Sequence, residues 1–335
     1  MHCAFLLTLA AAGAGWHAQA QPPYPTKPIR IIVAQTAGGV SDLVARLVAQ
    51  RLTESFKQSA VVENRAGAAG NIGTEMAVKA APDGYTLLMS SAGPIVINPG
   101  LYPKLPYDPL RDLAPIAFIA SSPLVLVIHP SVPARTVKEL IALARLPNAL
   151  ANASPAAKVR LNYGSGGNGS PPHLTAELFK AMTGAQMTHV PFKGSAPSVI
   201  ALVGGQVDLS FSTIAVTLPQ VKSGRIRALA VTSTQRNSLM PDLPTMMEAG
   251  LPGFESQQWF GLFGQGAMSK DTVARLNGEV TRWLALPDVR SRLATEGAEP
   301  AAGHASMTLD QFSAFLRADT SRWLKVIRAS GATAE

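Results

Sequence analysis

The chain has 335 residues, 47% of them hydrophobic and 15% charged, and carries a formal net charge of +8. This length and apolar content exclude a disordered or fibrous protein and leave room for two domains with cores of their own. The positive balance favours acidic ligands, but Lys and Arg are scattered singly, as at Arg46, Arg51, Lys57 and Arg65, so nucleic acid is not expected as a partner.

Residues 1–20 hold no Lys, Arg, Asp or Glu, carry an apolar run over residues 4–15 and end in Ala18-Gln-Ala20. This pattern predicts a secretory signal peptide cleaved after Ala20. The apolar run falls short of the roughly 20 residues of a membrane-spanning helix. Cys3 is the only cysteine and leaves with the signal, so no disulfide, thiol nucleophile or thiolate metal site is expected in the mature protein.

A β-branched strand at residues 29–33 runs through Ala34-Gln-Thr-Ala-Gly-Gly39 into an amphipathic helix over residues 43–56. Ser41 or Asp42 is expected to cap that helix, and Gly38-Gly39 to let a ligand approach the backbone. A tight turn with a capping Asp and nothing bound is the alternative reading of the same residues. A second strand (60–63), the loop Asn64-Arg-Ala-Gly-Ala-Ala-Gly70, a helix (72–80) and a third strand (85–90) complete three βα units. Ser90, Ser91 and Ala92 then fall at a strand's C-terminal end, where open α/β sheets bind ligands. Apolar runs at 114–119 and 124–128 predict strands, and the first crossing between lobes is placed near residues 121–130.

The chain is most regular between residues 160 and 211. A strand, the loop Gly164-Ser-Gly-Gly-Asn-Gly-Ser170, a helix (172–182), a strand (187–190), the turn Phe192-Lys-Gly-Ser195, a helix (196–203) and a strand (208–211) follow without interruption. Two βα junctions here predict two helix N-termini at one sheet edge, each offering backbone N–H groups to an anion. A helix over 218–223 and a strand over 226–232 follow, and residues 236–244 are read as the return crossing. Beyond these lie an aromatic strand (258–263) and terminal helices whose Trp283 and Trp323 are expected in the core.

The Gly-rich loop satisfies the G-x-G-x-x-G dinucleotide pattern in form. That fingerprint needs an acidic residue at the end of the next strand, whereas this one runs into Lys193. The loop is therefore read as a cradle built by Ser165, Gly166, Gly167 and Asn168. His173 either caps, contacts a ligand or sits in the first helical turn. No second His or acid is spaced with it for a metal. A hydrolase assembled from Ser165, His173 and an Asp is the alternative from another functional class.

Several motifs in order resemble one family. They are Glu63-Asn-Arg-Ala-Gly-Ala-Ala-Gly-Asn-Ile-Gly73, Pro82-Asp-Gly-Tyr-Thr-Leu-Leu88, His189-Val-Pro-Phe-Lys-Gly-Ser-Ala-Pro197 and Gly205-Gln-Val-Asp-Leu209. They resemble the Bug proteins, periplasmic solute-binding receptors of tripartite tricarboxylate transporters, from about Tyr24 to the C-terminus. The resemblance implies an α/β, two-lobed periplasmic binding protein (Venus-flytrap) fold with two mixed, mostly parallel sheets joined by crossing strands. Lobe 1 would comprise residues 24–125 and 240–335, and lobe 2 residues 126–239. It implies no catalysis, no cofactor and no metal. The protein would be a periplasmic monomer that holds a small carboxylate (organic, amino or aromatic acid) for a membrane permease, or an orphan receptor serving a sensor.

Carried over by position, the ligand loops would comprise Gln35, Thr36, Ala37, Gly38, Gly39, Ser41 and Asp42; Ser90, Ser91 and Ala92; Ser165, Gly166, Gly167, Asn168 and His173; and Phe192, Lys193, Gly194 and Ser195. Family members commonly carry Pro-Phe where this chain has Ala34-Gln35, and often an Asp where it has Ser212. Gln35 and Ser212 are therefore the positions expected to bear on ligand identity.

Overall fold

The computed structural model describes residues 24–146, 161–192, 194–295, 297–298 and 307–333. The predicted signal peptide and Lys193 lie outside the described residues. The chain starts with strand β1 (Ile29–Val33), helix α1 (Val40–Phe56), β2 (Ala60–Asn64), α2 (Asn71–Val78) and β3 (Thr86–Ser91). β1 pairs in parallel with both β2 and β3. Ile29, Ile31 and Val33 pack with Val44, Val48 and Leu52 of α1, whereas Ile32 points to the opposite core. A strand covered on both faces shows no regular polar alternation, which is why β1 reads as apolar apart from the exposed Arg30.

Residues 114–128, expected as two strands, form one: β4 (Leu113–Ile128), almost wholly buried. Its first part runs antiparallel to β9 (Gln257–Gln265), with register shifts between Pro115 and Ala117 and between Phe118 and Ala120. β9 in turn lies antiparallel to β3. Ladder pairing with β9 ends at Pro123, which has no N–H to give. From Leu124 onward the partners of β4 are β7 (Leu209–Thr213) and β8 (Arg227–Val231). A second sheet thus forms in the order β8-β4-β7-β5-β6, where β5 (Leu161–Ser165) is parallel to β7 and to β6 (Met187–Pro191). Parallel ladders occupy the outer part of each sheet, and antiparallel ladders surround the crossing.

The crossing is held by hydroxyls. Thr232 Oγ1, fully buried, accepts the Leu124 N–H at 2.9 Å, and the Ser256 N–H donates to the Thr232 carbonyl at 3.1 Å. Thr175 and Ser256 hydroxyls meet at 2.5 Å. Helices α3 (Val137–Ala144), α4 (Pro171–Thr183), α5 (Ser195–Val203) and α6 (Ile214–Lys222) serve the second sheet. α7 (Lys270–Leu284), α8 (Pro287–Thr295) and α9 (Leu309–Ser330) follow β9. α9 packs on α4, on β4 and on residues 93–101, and so touches structure built on either sheet. Its Asp319 accepts the Trp259 indole N–H at 2.8 Å, and Arg322 donates to the Glu255 carbonyl at 2.7 Å. Trp323 is buried in a core that includes Trp259, Phe263 and Phe312. Trp283 is buried against α1 and α8 residues. Among the described residues, no helix is long and apolar enough to cross a membrane.

Candidate ligand-binding cleft

Between the C-terminal ends of β1, β2 and β3 and the loop after β5 lies a cavity of about 390 Å³. The sequence-predicted residues Gln35, Thr36, Ser91, Gly166 and Asn168 all line it. Gln35 is set by two contacts: its Nε2 donates to Ser91 Oγ at 2.7 Å, and its carbonyl accepts from Asn64 Nδ2 at 3.2 Å. An amide thus occupies the tip of β1 and is keyed to the tips of β2 and β3.

The floor of this wall was not singled out from the sequence as ligand-facing. Residues 67–70 all have positive φ, with Ala68 at 46° and Ala69 at 52°, and Gly67, Ala69 and Gly70 line the cavity. A left-handed alanine costs roughly 1–2 kcal/mol, and the surrounding structure fixes it. Asn98 Nδ2 donates to the Ala69 carbonyl at 3.2 Å and to Asn71 Oδ1 at 2.6 Å. The Tyr107 hydroxyl donates to the same Asn71 oxygen at 2.8 Å. Burial pushes the Tyr107 phenol well above its ordinary pKa, so it stays a donor. Gly70 is required here: a Cβ would sit 2.5 Å from Pro94 Cγ, at a φ of 92°. The available sequence signal was the run Gly67-Ala-Ala-Gly70 at a strand's C-terminal end, equivalent in place to Gly38-Gly39.

Asp42 is not the cap of α1. The helix begins at Val40 with Gly39 as its N-cap and no side-chain cap bond. Asp42, the third residue of the first turn and buried, accepts the Gly38 N–H at 3.0 Å and pairs with Arg46. Burial alone would raise its pKa, but the Gly38 N–H, Arg46 and Asn64 outweigh it and hold the carboxyl below its ordinary value. Asp42 therefore braces the loop from behind. Ala37, Gly38 and Gly39 are exposed and, like Ser41, stand outside the cavity wall; Ser90 and Ala92 are buried behind it.

The opposite wall is the loop after β5. Gly166, Asn168, Gly169 and Ser170 face the cavity. A Cβ on Gly169, whose φ is 71°, would lie 2.3 Å from Leu101 Cδ1, so the two walls already touch at this point. The expected N-terminal donors of α4 are absent: Pro171 and Pro172 have no N–H, and the His173 N–H is directed to Ser170 Oγ at 3.4 Å. The loop's own peptides, not the helix end, face the cleft. Phe192, Gly194 and Ser195 lie behind this loop: a Cβ on Gly166 would lie 3.4 Å from the Gly194 carbonyl carbon and from Ser195 N. Ser212 is buried in β7 with its Oγ 3.0 Å from that of Ser210.

His173 also lies outside the wall, and Ser165 is fully buried. The histidine beside Ser165 is His189, at 2.6 Å, because the β5–β6 pairing places their strands side by side. Ser165 Oγ also accepts the Gly167 N–H at 3.1 Å. An oxygen so enclosed supports the loop and has no access to a substrate in the cleft. Among the described residues, no group of three or more His, Cys, Asp or Glu is arranged to hold a metal.

No described residue of the cavity wall is charged. Gln35, Thr36, Ser91, Asn98, Asn168, Ser170, Tyr102 and Gln258 supply neutral hydrogen-bonding groups over two Gly-rich backbones. Such a surface suits a small polar ligand held by dipoles at the ends of strands.

The family model for the tripartite tricarboxylate transporter family receptor matches residues 44–332. BugT of Bordetella pertussis is 37% identical over 311 residues, which cover 92% of this chain and 91% of that protein. Among solved structures, an R. palustris protein with adipate is 36% identical with a TM-score of 0.76, over 92% of this chain and 99% of that one. MatC from Rhodopseudomonas palustris with bound malate is 31% identical with a TM-score of 0.72, over 91% of this chain and 100% of that one. The matched family is one of receptors and not of enzymes, and the motif resemblance points to the same family. The two-lobed mixed α/β chain described above belongs to the tripartite tricarboxylate transporter receptor family.

Proposed function

We propose that this protein captures a small carboxylate between its two Gly-rich walls and presents it to the membrane permease of a tripartite transporter. The observation that carries the reading is the cleft itself. Two backbone-rich loops from different sheets face each other across about 390 Å³, without a charged side chain among the described wall residues. Peptide dipoles at strand and loop ends stabilise anions without an ionisable partner. Adipate and malate in the two Rhodopseudomonas structures support the ligand class.

In this reading Gln35, Thr36, Ser91 and residues 67–70 form one jaw, and Gly166, Asn168, Gly169 and Ser170 the other. The change of β4 partners at Pro123 and Leu124 supports lobes of residues 24–125 plus 240–335 and residues 126–239. The charge-free apolar run before Ala20 supports export to the periplasm, where a monomer would meet its permease.

Calorimetric titration at neutral pH tests the reading. Adipate or malate should bind saturably at one site, and adipamide, which has the same length without charge, at least about tenfold more weakly. Equal binding of the diamide would contradict an anion site, and no binding by any small carboxylate would reject the function.

A further inference from the structure

Behind the Gly166 to Gly169 wall, two imidazoles lie face to face. The rings of His173 and His189 stack with centroids 3.9 Å apart and planes 8° from parallel. Tyr163 lies nearly parallel to both rings, 4.9 Å from His189 and 6.3 Å from His173. Each imidazole is tied to a different point of the loop. The Gly169 N–H donates to His173 Nδ1 at 3.0 Å. His189 Nε2 meets Ser165 Oγ at 2.6 Å, and that oxygen accepts the Gly167 N–H. Gly169 is also the residue against Leu101 across the cleft, so its position sets how closely the walls meet.

We propose that His173 and His189 are positioning residues that brace the two ends of the ligand-facing loop, with His173 held neutral as the Nε2–H tautomer so that Nδ1 accepts from Gly169. The inference rests on the reading of the cleft as a ligand site, and it reassigns His173 from ligand contact to support. A protonated Nδ1 has no lone pair for an N–H, and two cations at stacking distance repel. Burial lowers the His173 pKa, and burial followed by the neighbouring His173 lowers that of His189 to about 4.

The other charged groups are consistent with neutral rings. On α4, Glu177 accepts the Tyr163 hydroxyl at 2.6 Å and is neutralised by Lys180 at 2.7 Å. From α9, packed on the same helix, Asp319 and Arg322 are directed to Trp259 and Glu255. Arg145 after α3 donates to the Thr183 carbonyl at the other end of α4. β7 contributes Ser210 and Ser212, which do not titrate at these pH values. Lys193, past β6, lies outside the described residues.

Nitrogen-15 NMR of the ligand-free full chain at pH 7 should show a neutral His173 protonated at Nε2. A cationic ring, or an Nδ1–H tautomer, would overturn the proposal. Two variants then separate bracing from bulk. His173→Asn places an oxygen near the position of Nδ1 and should keep adipate affinity within about threefold. His173→Phe keeps the stack without the acceptor and should weaken adipate by about tenfold or more, with Gly169 amide exchange accelerated to a similar degree. Equal behaviour of the two variants in amide exchange would refute the bracing role. If the wild type binds no carboxylate, the functional reading falls, and the exchange comparison in the free protein still decides this one. If the Phe variant does not fold, the wild-type tautomer decides.

Discussion

The two walls of the cleft solve one problem, holding a Gly-rich backbone still, with different chemistry. The wall at residues 67–70 is a left-handed turn kept in place by Asn98, Asn71 and Tyr107, groups that do not change charge over the physiological range. The wall at residues 166–169 is supported instead by stacked imidazoles, through Ser165 and His173. The first wall should therefore respond to changes in packing and polar satisfaction. The second should respond to proton concentration as well. A cleft built this way has one fixed jaw and one whose order depends on neutral histidines.

The largest effect should come from the fixed jaw. Asn71→Leu removes the oxygen shared by the Tyr107 hydroxyl and the Asn98 amide, leaving them only the Pro94 and Ala69 carbonyls, and puts an apolar group in a buried polar site; it is expected to lower stability in urea by about 3 kcal/mol. An unchanged midpoint would remove the buttress from the account. Thr232→Val should follow, at about 2 kcal/mol, because the buried Leu124 N–H loses its acceptor where the sheets meet. It should disturb both walls alike, and a variant that affects only one would argue against a shared crossing.

The pH response belongs to the second wall. His189 takes up a proton at its ordinary pKa of 6.5 when unfolded but only near pH 4 when folded. Between these values the unfolded chain binds more protons, so stability falls as the pH drops through that window. Asp42, with its pKa held below 3.8, loses its contribution only at lower pH. Thermal midpoints of His189→Gln between pH 6.5 and 4.5 should slope less than those of the wild type, and parallel slopes would contradict the assignment. The smallest effect concerns strain: Ala69→Gly should stabilise by less than about 1 kcal/mol, since relief of the left-handed φ is partly offset by unfolded-chain entropy. Marked destabilisation would show that the Ala69 methyl has a packing role.

The sequence made the strand-end loops at Gln35, Ser91 and Gly166 readable because glycine and serine clusters interrupt apolar runs at βα junctions. It also carried the family motifs from which the two-lobed architecture follows. It did not reveal Asn98, Leu101 or Tyr102, which lie in and at the end of a short helical segment, residues 93–101, whose place in the cleft depends on packing against α9. Asp42 was misassigned because α1 starts at Val40, and a shift of a few residues turns a cap into a brace. Ser165 was matched to His173 through proximity in sequence. The pairing of β5 with β6 supplies His189 instead, and strand pairing over 24 residues leaves no local signal.

The most direct measurement is a crystal structure of the chain with adipate or malate. The account predicts the carboxylate between residues 67–70 and 166–169, within hydrogen-bond reach of peptide N–H groups on both sides, with the His173 and His189 rings stacked behind and untouched by ligand. A ligand bound elsewhere, or one held chiefly by a charged side chain with either Gly-rich loop uninvolved, would contradict it.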